Sequence, residues 1–288
     1  MEWINAIIQG ILVGGLYALF ASGLSLIFGV MRLVNIAHGD LIVFAAFLGL
    51  TITSVININP FLSLIILIPV MALLGYVLQR GILNQTLGHD ILPPLLVTFG
   101  LSVIIQNGLL EIYTADPQKM NAGKIETESI SIYGGLNIGL YPLLMFITAV
   151  AIIGILQYVF YRTSLGRAFR ATSDNQEIAQ LMGLNKGHIF GLAMAISMIV
   201  VAIGGIFLGV RTSFDPSIGP GRLIFGFEAV IIGGLGNLWG TLVGGIILGV
   251  SQNIGAKINP GWQILSGHIA FLLVLAIRPK GLFHRVDG

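Results

Sequence analysis

Seven long stretches of this chain contain no Asp, Glu, Lys or Arg: 3–31, 41–79, 91–110, 129–161, 187–210, 229–256 and 258–277. A membrane-crossing helix needs about 20 predominantly apolar residues, and each stretch supplies them. The stretch 41–79 also contains Asn57-Ile58-Asn59-Pro60, a turn signal that divides it in two. Eight hydrophobic segments follow. The fold class is therefore all-α, a polytopic bundle of transmembrane helices forming a single domain over residues 1–288. Composition points the same way, because only 9% of residues are charged and 56% are hydrophobic. A water-facing surface draws roughly a quarter or more of its residues from Lys, Arg, Glu and Asp. A membrane β-barrel is excluded, since its segments would be about ten residues long and alternate in polarity.

Several chemistries drop out at once. The chain has no Cys, which removes disulfides, thiolate metal sites and thiol catalysis. No His-Glu-x-x-His and no other His pair at i, i+4 occurs, so metal-dependent intramembrane hydrolysis has no ligand set and no metal site is expected. Gly234-Leu-Gly236 is not a dinucleotide fingerprint, because the third glycine is misplaced and no Rossmann strand precedes it. Met1-Glu2-Trp3 lacks a basic n-region, so the first segment is expected to remain in the mature protein. The net charge of +2 says nothing about nucleic acid, because the basic residues lie in loops between apolar segments, and no nucleic-acid partner is expected.

Those loops orient the chain. Loop 162–186 holds Arg162, Arg167, Arg170 and Lys186 and is expected on the cytoplasmic side. The closing Arg278-Pro-Lys280-Gly-Leu-Phe-His-Arg285 is assigned to that side by the same rule. Loop 111–128 mixes Glu111, Asp116, Lys119, Lys124, Glu126 and Glu128, which fits the opposite side. No Lys or Arg precedes the first segment, so the N-terminus is expected outside. Ends on opposite sides require an odd number of crossings, and eight full spans do not supply one. The weakest segment is 223–256, interrupted by Gly233-Gly234-Leu235-Gly236-Asn237. A broken or re-entrant helix near 223–237 is expected, its short piece at about 223–232 packed inside protein, where irregular backbone at membrane depth is tolerated.

Loop 162–186 contains a short helix with both ends marked. Ser173 and Gln176 form a capping box, Asp174 and Glu177 complement the helix dipole, and Gly183 suits a left-handed C-terminal residue. The expected helix is 174–182. Ile178, Leu181 and Met182 line one side of it. Such an element either inserts into a groove on a partner or lies on the lipid headgroups.

The same loop carries a resemblance. Glu177-Ile178-Ala179-Gln180-Leu181-Met182-Gly183 resembles the Glu-Ala-Ala, three residues, Gly motif of ABC importer permeases, with Ile178 at the second position. Ser164-Leu-Gly166-Arg167-Ala168-Phe-Arg170-Ala171, followed by Gly183-Leu184-Asn185, resembles the cytoplasmic loop of branched-chain amino acid ABC permeases. Asn35-Ile-Ala37-His38-Gly39-Asp40, the glycine-rich run Gly233 to Gly244 and the closing Arg278-Pro279-Lys280-Gly281-Leu282-Phe283 are similar to that family as well. The four motifs occur in family order over essentially the whole chain, and the size resembles the smaller of the family's two permease subunits. The resemblance implies a bacterial inner-membrane importer for branched-chain or other neutral amino acids, with this chain forming half of the translocation pathway. It further implies a second homologous permease subunit, two cytoplasmic ATPase subunits that bind ATP-Mg, and an extracytoplasmic substrate-binding protein. The chain itself would bind no cofactor and catalyse nothing. Arg167, Arg170, Asp174, Glu177, Ala179, Leu181, Gly183 and Leu184 would couple it to the ATPase.

Polar residues near the apolar stretches are few, and intramembrane ionisable groups point to function by default. The candidate pathway residues are Asn35, His38, Asp40, Glu228, Gly233, Gly234 and Asn237. Each also has a structural reading. Asp40 favours a helix N-terminus, Glu228 anchors helices or pairs with Arg222, and the glycine cluster breaks a helix, as in many transporters. His268 reads as an interhelical hydrogen-bonding residue. Gly10-x3-Gly14, Gly205-x3-Gly209, Gly240-x3-Gly244 and Gly245-x3-Gly249 read as close helix packing. The scarcity of charge within the spans disfavours a channel or ion-coupled carrier working without ATP, the main alternative. Urea or short amides stay open as cargo of the same architecture.

Overall fold

The computed structural model describes residues 2–87, 92–132 and 136–283; Arg285 of the closing stretch lies outside them. The elements run α1 (Glu2–Met31), α2 (His38–Ile56), α3 (Pro60–Gly81) and α4 (Leu92–Tyr113), then a small hairpin of β1 (Ser129–Ile132) and β2 (Leu136–Gly139). They continue with α5 (Leu140–Arg162), α6 (Ser164–Asp174), α7 (Gln176–Leu181), α8 (Lys186–Arg211), α9 (Gly219–Gly233), α10 (Leu238–Ile258) and α11 (Gln263–Ile277). Among the described residues, eight helices are long and apolar enough to cross a membrane, so the protein is a multi-pass helical bundle. The expected division at 57–60 is present. Asn57 adopts φ 59° after α2, and the Asn59 side chain accepts from Phe61 N at 3.0 Å to cap α3, with Pro60 in its first turn.

Two helices form the centre. In α1, 83% of the most apolar window is buried and in α8 72%, against 17% in α4 and 6% in α11. Glycine permits this density. A Cβ added to Gly10 would lie 2.6 Å from Val250 Cα, and one added to Gly14 would lie 2.6 Å from Ile246 Cα. The expected small-residue packing is therefore the α1–α10 seam, built from Gly10 and Gly14 against Gly245 and Gly249. Close backbone approach of this kind replaces the hydrophobic drive that lipid cannot supply between helices.

The ends of the elements define two faces of the bundle. Lys257 Nζ meets Glu2 Oε2 at 2.5 Å, which puts the N-terminus of α1 beside the end of α10. At the other face, Ser173 donates to Gly29 O (2.8 Å) and Asn237 Nδ2 donates to Phe283 O (3.0 Å). The N-terminus, the end of α10 and the loop after α4 share one face. Loop 162–186, the α9–α10 turn and the C-terminal segment share the other.

Two of the crossings are composite. After α1 ends at the loop face, His38 returns to the level of Phe20, whose carbonyl contacts its Nε2 at 3.0 Å. The eleven steps from Phe20 to Met31 cover about 16 Å of helix, a rise that the non-helical residues 32–37 retrace to bring His38 back to Phe20. The non-helical segment 32–37, which opens on Arg32 at φ 54° and closes in a turn, therefore re-enters the bundle, and α2 starts at mid-depth. The second composite crossing mirrors the first. After α8, residues 212–218 descend from the N-terminal face, where Gln118 and Phe214 exchange backbone hydrogen bonds of 2.8 and 2.9 Å. Helix α9 then starts where Gly219 abuts Asp40, and completes the passage to the loop face. The two helix starts meet. A Cβ added to Gly39 would lie 2.9 Å from Gly219 C.

This arrangement refines the expected re-entrant helix. The short helix spans Gly219–Gly233 rather than 223–232 and adds a ninth passage to the eight long helices. The total is odd, so the two ends of the described chain lie on opposite faces.

Candidate functional site

The loop face carries a rigid platform. Thr163 caps α6 by accepting from Gly166 N at 3.1 Å. Phe169 is fully buried, and the Arg170 guanidinium donates to Phe160 O while lying 5.3 Å over the Tyr161 ring. With Ser173 bonded to Gly29, α6 is fastened to both α5 and α1. Helix α7 follows after a one-residue break.

That break corrects the expected helix 174–182. Asp174 ends α6, and Asn175 rather than Ser173 caps α7, accepting from Glu177 N and Ile178 N at 3.0 Å each. The carbonyl-bearing Asn side chain, one residue before the helix, outcompetes a Ser hydroxyl already committed to a distant carbonyl. The C-terminal end is as expected. Gly183 adopts φ +86°, and Gly183 N and Leu184 N return to Gln180 O (2.9 Å) and Ala179 O (3.0 Å). Helix α7 is thus Gln176–Leu181. Ala179 is 3% exposed and seats it, whereas Ile178, Leu181 and Met182 are 58%, 87% and 79% exposed. Arg167, Asp174 and Glu177 are exposed too, while Leu184 is half-buried. Clefts of about 400 and 380 Å³ flank the helix, the first lined in part by Asn84, Gln180 and Phe190, the second by Arg32, Asp174 and Glu177. A fixed helix presents an apolar ridge between two clefts, the first of mixed lining and the second mainly polar.

At mid-depth, the first break gathers Asn35, His38 and Asp40, all buried. Asn35 Oδ1 accepts from Ala37 N (3.1 Å). Asp40, in the first turn of α2, accepts from Ser102 Oγ at 2.6 Å and from Gln106 Nε2 at 2.9 Å. Its carboxylate also lies against Gly219 at the start of α9, so it joins α2, α4 and α9.

Glu228 sits elsewhere, on α9. Its partner is His268 of α11, through Nδ1 and Oε1, and not Arg222 as the sequence spacing allowed. Arg222 is six residues away on the same helix, whereas i+4 and i+3 are the positions that face one another. Phe225 stacks on His268 with ring centres 6.4 Å apart and meets Tyr17 at 5.1 Å. The Tyr17 hydroxyl donates to Gln252 Oε1 at 2.5 Å. Tyr17 and Gln252 were not singled out by sequence, for neither carries charge and they are 235 residues apart.

Gly233, Gly234 and Asn237 form the turn at the loop face. Asn237 Oδ1 caps α10 through Gly240 N at 2.9 Å. The carbonyls of Ile232 and Gly233 accept from Leu282 N (2.9 Å) and Phe283 N (3.2 Å), so the C-terminal segment covers this turn. A cleft of about 230 Å³ opens beside it, bounded by Ser25, Gly29, Gln157, Asn237 and Trp239. The predicted pathway residues thus occupy three separate places: the first break, the Glu228–His268 contact and the loop-face turn.

Comparison with known proteins bears on the whole chain. The pattern of the family described as "Branched-chain amino acid transport system / permease component" matches residues 6–277. The high-affinity branched-chain amino acid transport system permease protein BraD of Pseudomonas aeruginosa is 26% identical over 99% of this chain and 97% of its own. The permease protein LivH of the corresponding high-affinity system in Salmonella typhimurium is 23% identical over 100% and 97%. A probable branched-chain amino acid transport permease protein LivH of Methanocaldococcus jannaschii is 25% identical over 82% and 76%.

Proposed function

Because the chain belongs to the family of branched-chain amino acid transport system permease components, we propose that it is the membrane subunit of an ATP-driven importer of branched-chain or other neutral amino acids. In this reading it forms half of the pathway beside a second, homologous permease. Two ATPase subunits, holding ATP-Mg, take up α7 on the cytoplasmic side, and a binding protein delivers the solute at the N-terminal face. The basic residues of loop 162–186 and of the C-terminal segment favour that orientation.

One observation carries the reading. Ile178, Leu181 and Met182 project from a helix whose neighbours are bolted to α5 and α1, so a push on α7 reaches the bundle instead of being absorbed by a loose loop. An apolar ridge on an exposed helix is also what a cleft in a partner recognises. Leu181→Asp tests it. The variant is expected to insert normally and to lose copurification with the ATPase subunits together with ATP-dependent uptake. Full retention of both would remove α7 from the coupling path.

A further inference from the structure

The region between α1, α8, α9 and α10, on the N-terminal side of mid-depth, holds two half-buried guanidinium groups that form no close ion pair among the described residues. Arg211 ends α8 and Arg222 lies in the first turn of α9, at the two ends of the re-entering segment 212–218. Arg211 Nη1 and Arg222 Nε are buried and have no hydrogen-bond partner, and neither residue forms an ion pair among the described residues. Tyr17 lies within electrostatic reach of both groups, and they lie within reach of each other.

The nearby carboxylates hydrogen-bond elsewhere, although Asp215 supports the Arg222 charge from a distance and Glu228 Oε2 is buried without a partner. Asp215 accepts from Ser217 N at 2.9 Å and from the Ser217 hydroxyl. Asp40 is held by Ser102 and Gln106, and Glu228 by His268. A guanidinium cannot escape by losing its proton. Removing it from water without a partner is costly, and two adjacent ones repel each other as well. Arg222 is further disfavoured by its place in the first turn of a helix, at the positive end of the dipole. Gln252 accepts from Tyr17 through its oxygen, and its Nε2 is buried and unpaired on the side of Gly267 in α11.

We propose that Arg211 and Arg222 bind the carboxylate of the transported amino acid on its way from the N-terminal face. The forked donors of arginine match a carboxylate. The arrangement selects solutes that carry one, and so argues against urea or short amides as cargo. The proposal rests on the importer reading above and adds the site.

Two measurements on the complete transporter test it. In proteoliposomes with the binding protein saturated, Arg211→Met and Arg222→Met are expected to lower leucine uptake about tenfold or more, the loss of a charge-assisted contact. Arg211→Lys and Arg222→Lys should recover part of it. In detergent, sodium acetate should raise the unfolding temperature of the wild-type complex above that in sodium chloride of equal ionic strength, while leucinamide should not. Arg211→Met should abolish the acetate effect. Wild-type uptake by both methionine variants would overturn the proposal. So would an inert acetate, whether phosphatidylglycerol vesicles stabilise the complex in its place (a lipid headgroup on the two arginines) or nothing does (a carboxylate of the second permease). Absence of any amino acid uptake by the wild type would instead defeat the importer reading, and the acetate titration would still decide the site.

Discussion

The two composite crossings place their helix starts side by side and treat charge in opposite ways. At the first, the carboxylate of Asp40 has a donor on each oxygen, Gln106 at 2.9 Å and Ser102 at 2.6 Å. At the second, Arg222 and its neighbour Arg211 form no close ion pair among the described residues, and each keeps a buried nitrogen without a hydrogen-bond partner. Neutral atoms are left unpaired at the first break too, Asn35 Nδ2 and His38 Nδ1. Burying an unpaired amide or imidazole costs far less than burying an unpaired charge. A saturated charge holds helices together, and an unsaturated one is kept for something that arrives. The first break is the hinge pin of the bundle and the second is its receptive side.

Substitutions can break that contrast. Asp40→Ala strands the Ser102 hydroxyl and the Gln106 amide, and should destabilise the protein by about 2–4 kcal/mol. Thermal unfolding in detergent measures this, and Asp40→Asn, which still offers an acceptor, should lose less. If Asp40→Ala unfolded with the wild type, the first break would not be structural. His268→Ala leaves the buried Glu228 carboxylate without its partner and should cost about 1–3 kcal/mol. Adding Glu228→Gln should restore much of that loss, and failure to do so would place the destabilisation in packing against Phe225. Gly183→Val strains a residue held at φ +86°, with a cost of about 1–2 kcal/mol confined to the loop. Insertion should persist while uptake falls, and unimpaired uptake would show that the end of α7 tolerates rearrangement. Arg222→Met should have the smallest effect on stability, about 0.5 kcal/mol or a slight gain, since it removes a charge that forms no close ion pair. A loss as large as that of Asp40→Ala would erase the distinction between the two breaks.

Much of this was legible in the charge-free stretches. They locate the eight long helices, the Asn57–Pro60 division and the interruption before α10, and the glycine spacings mark the α1–α10 seam. Loop 162–186 also shows its short helix, with the wrong cap. Ser173 and Gln176 satisfy the local rule for a capping box, but the Ser173 hydroxyl is spent on Gly29, 144 residues earlier in the chain. Asn175 then takes the role. The first composite crossing escapes a count of charges, because the non-helical segment 32–37 is too short to register and only the contact of His38 with Phe20 reveals the re-entry. The Arg211–Arg222 pair was visible as two basic residues at the edges of apolar stretches. Their lack of a partner becomes apparent only when α1, α8 and α9 are brought together.

ATP-driven uptake by the assembled transporter tests the central claim most directly. Proteoliposomes containing this chain, the second permease, the ATPase subunits and the binding protein would be loaded with ATP-Mg on the side of loop 162–186 and offered labelled leucine at the N-terminal face. Accumulation against a gradient is predicted, lost when the ATPase is made hydrolysis-deficient and lost equally with Leu181→Asp. Leucine entry at the wild-type rate without ATP would contradict it.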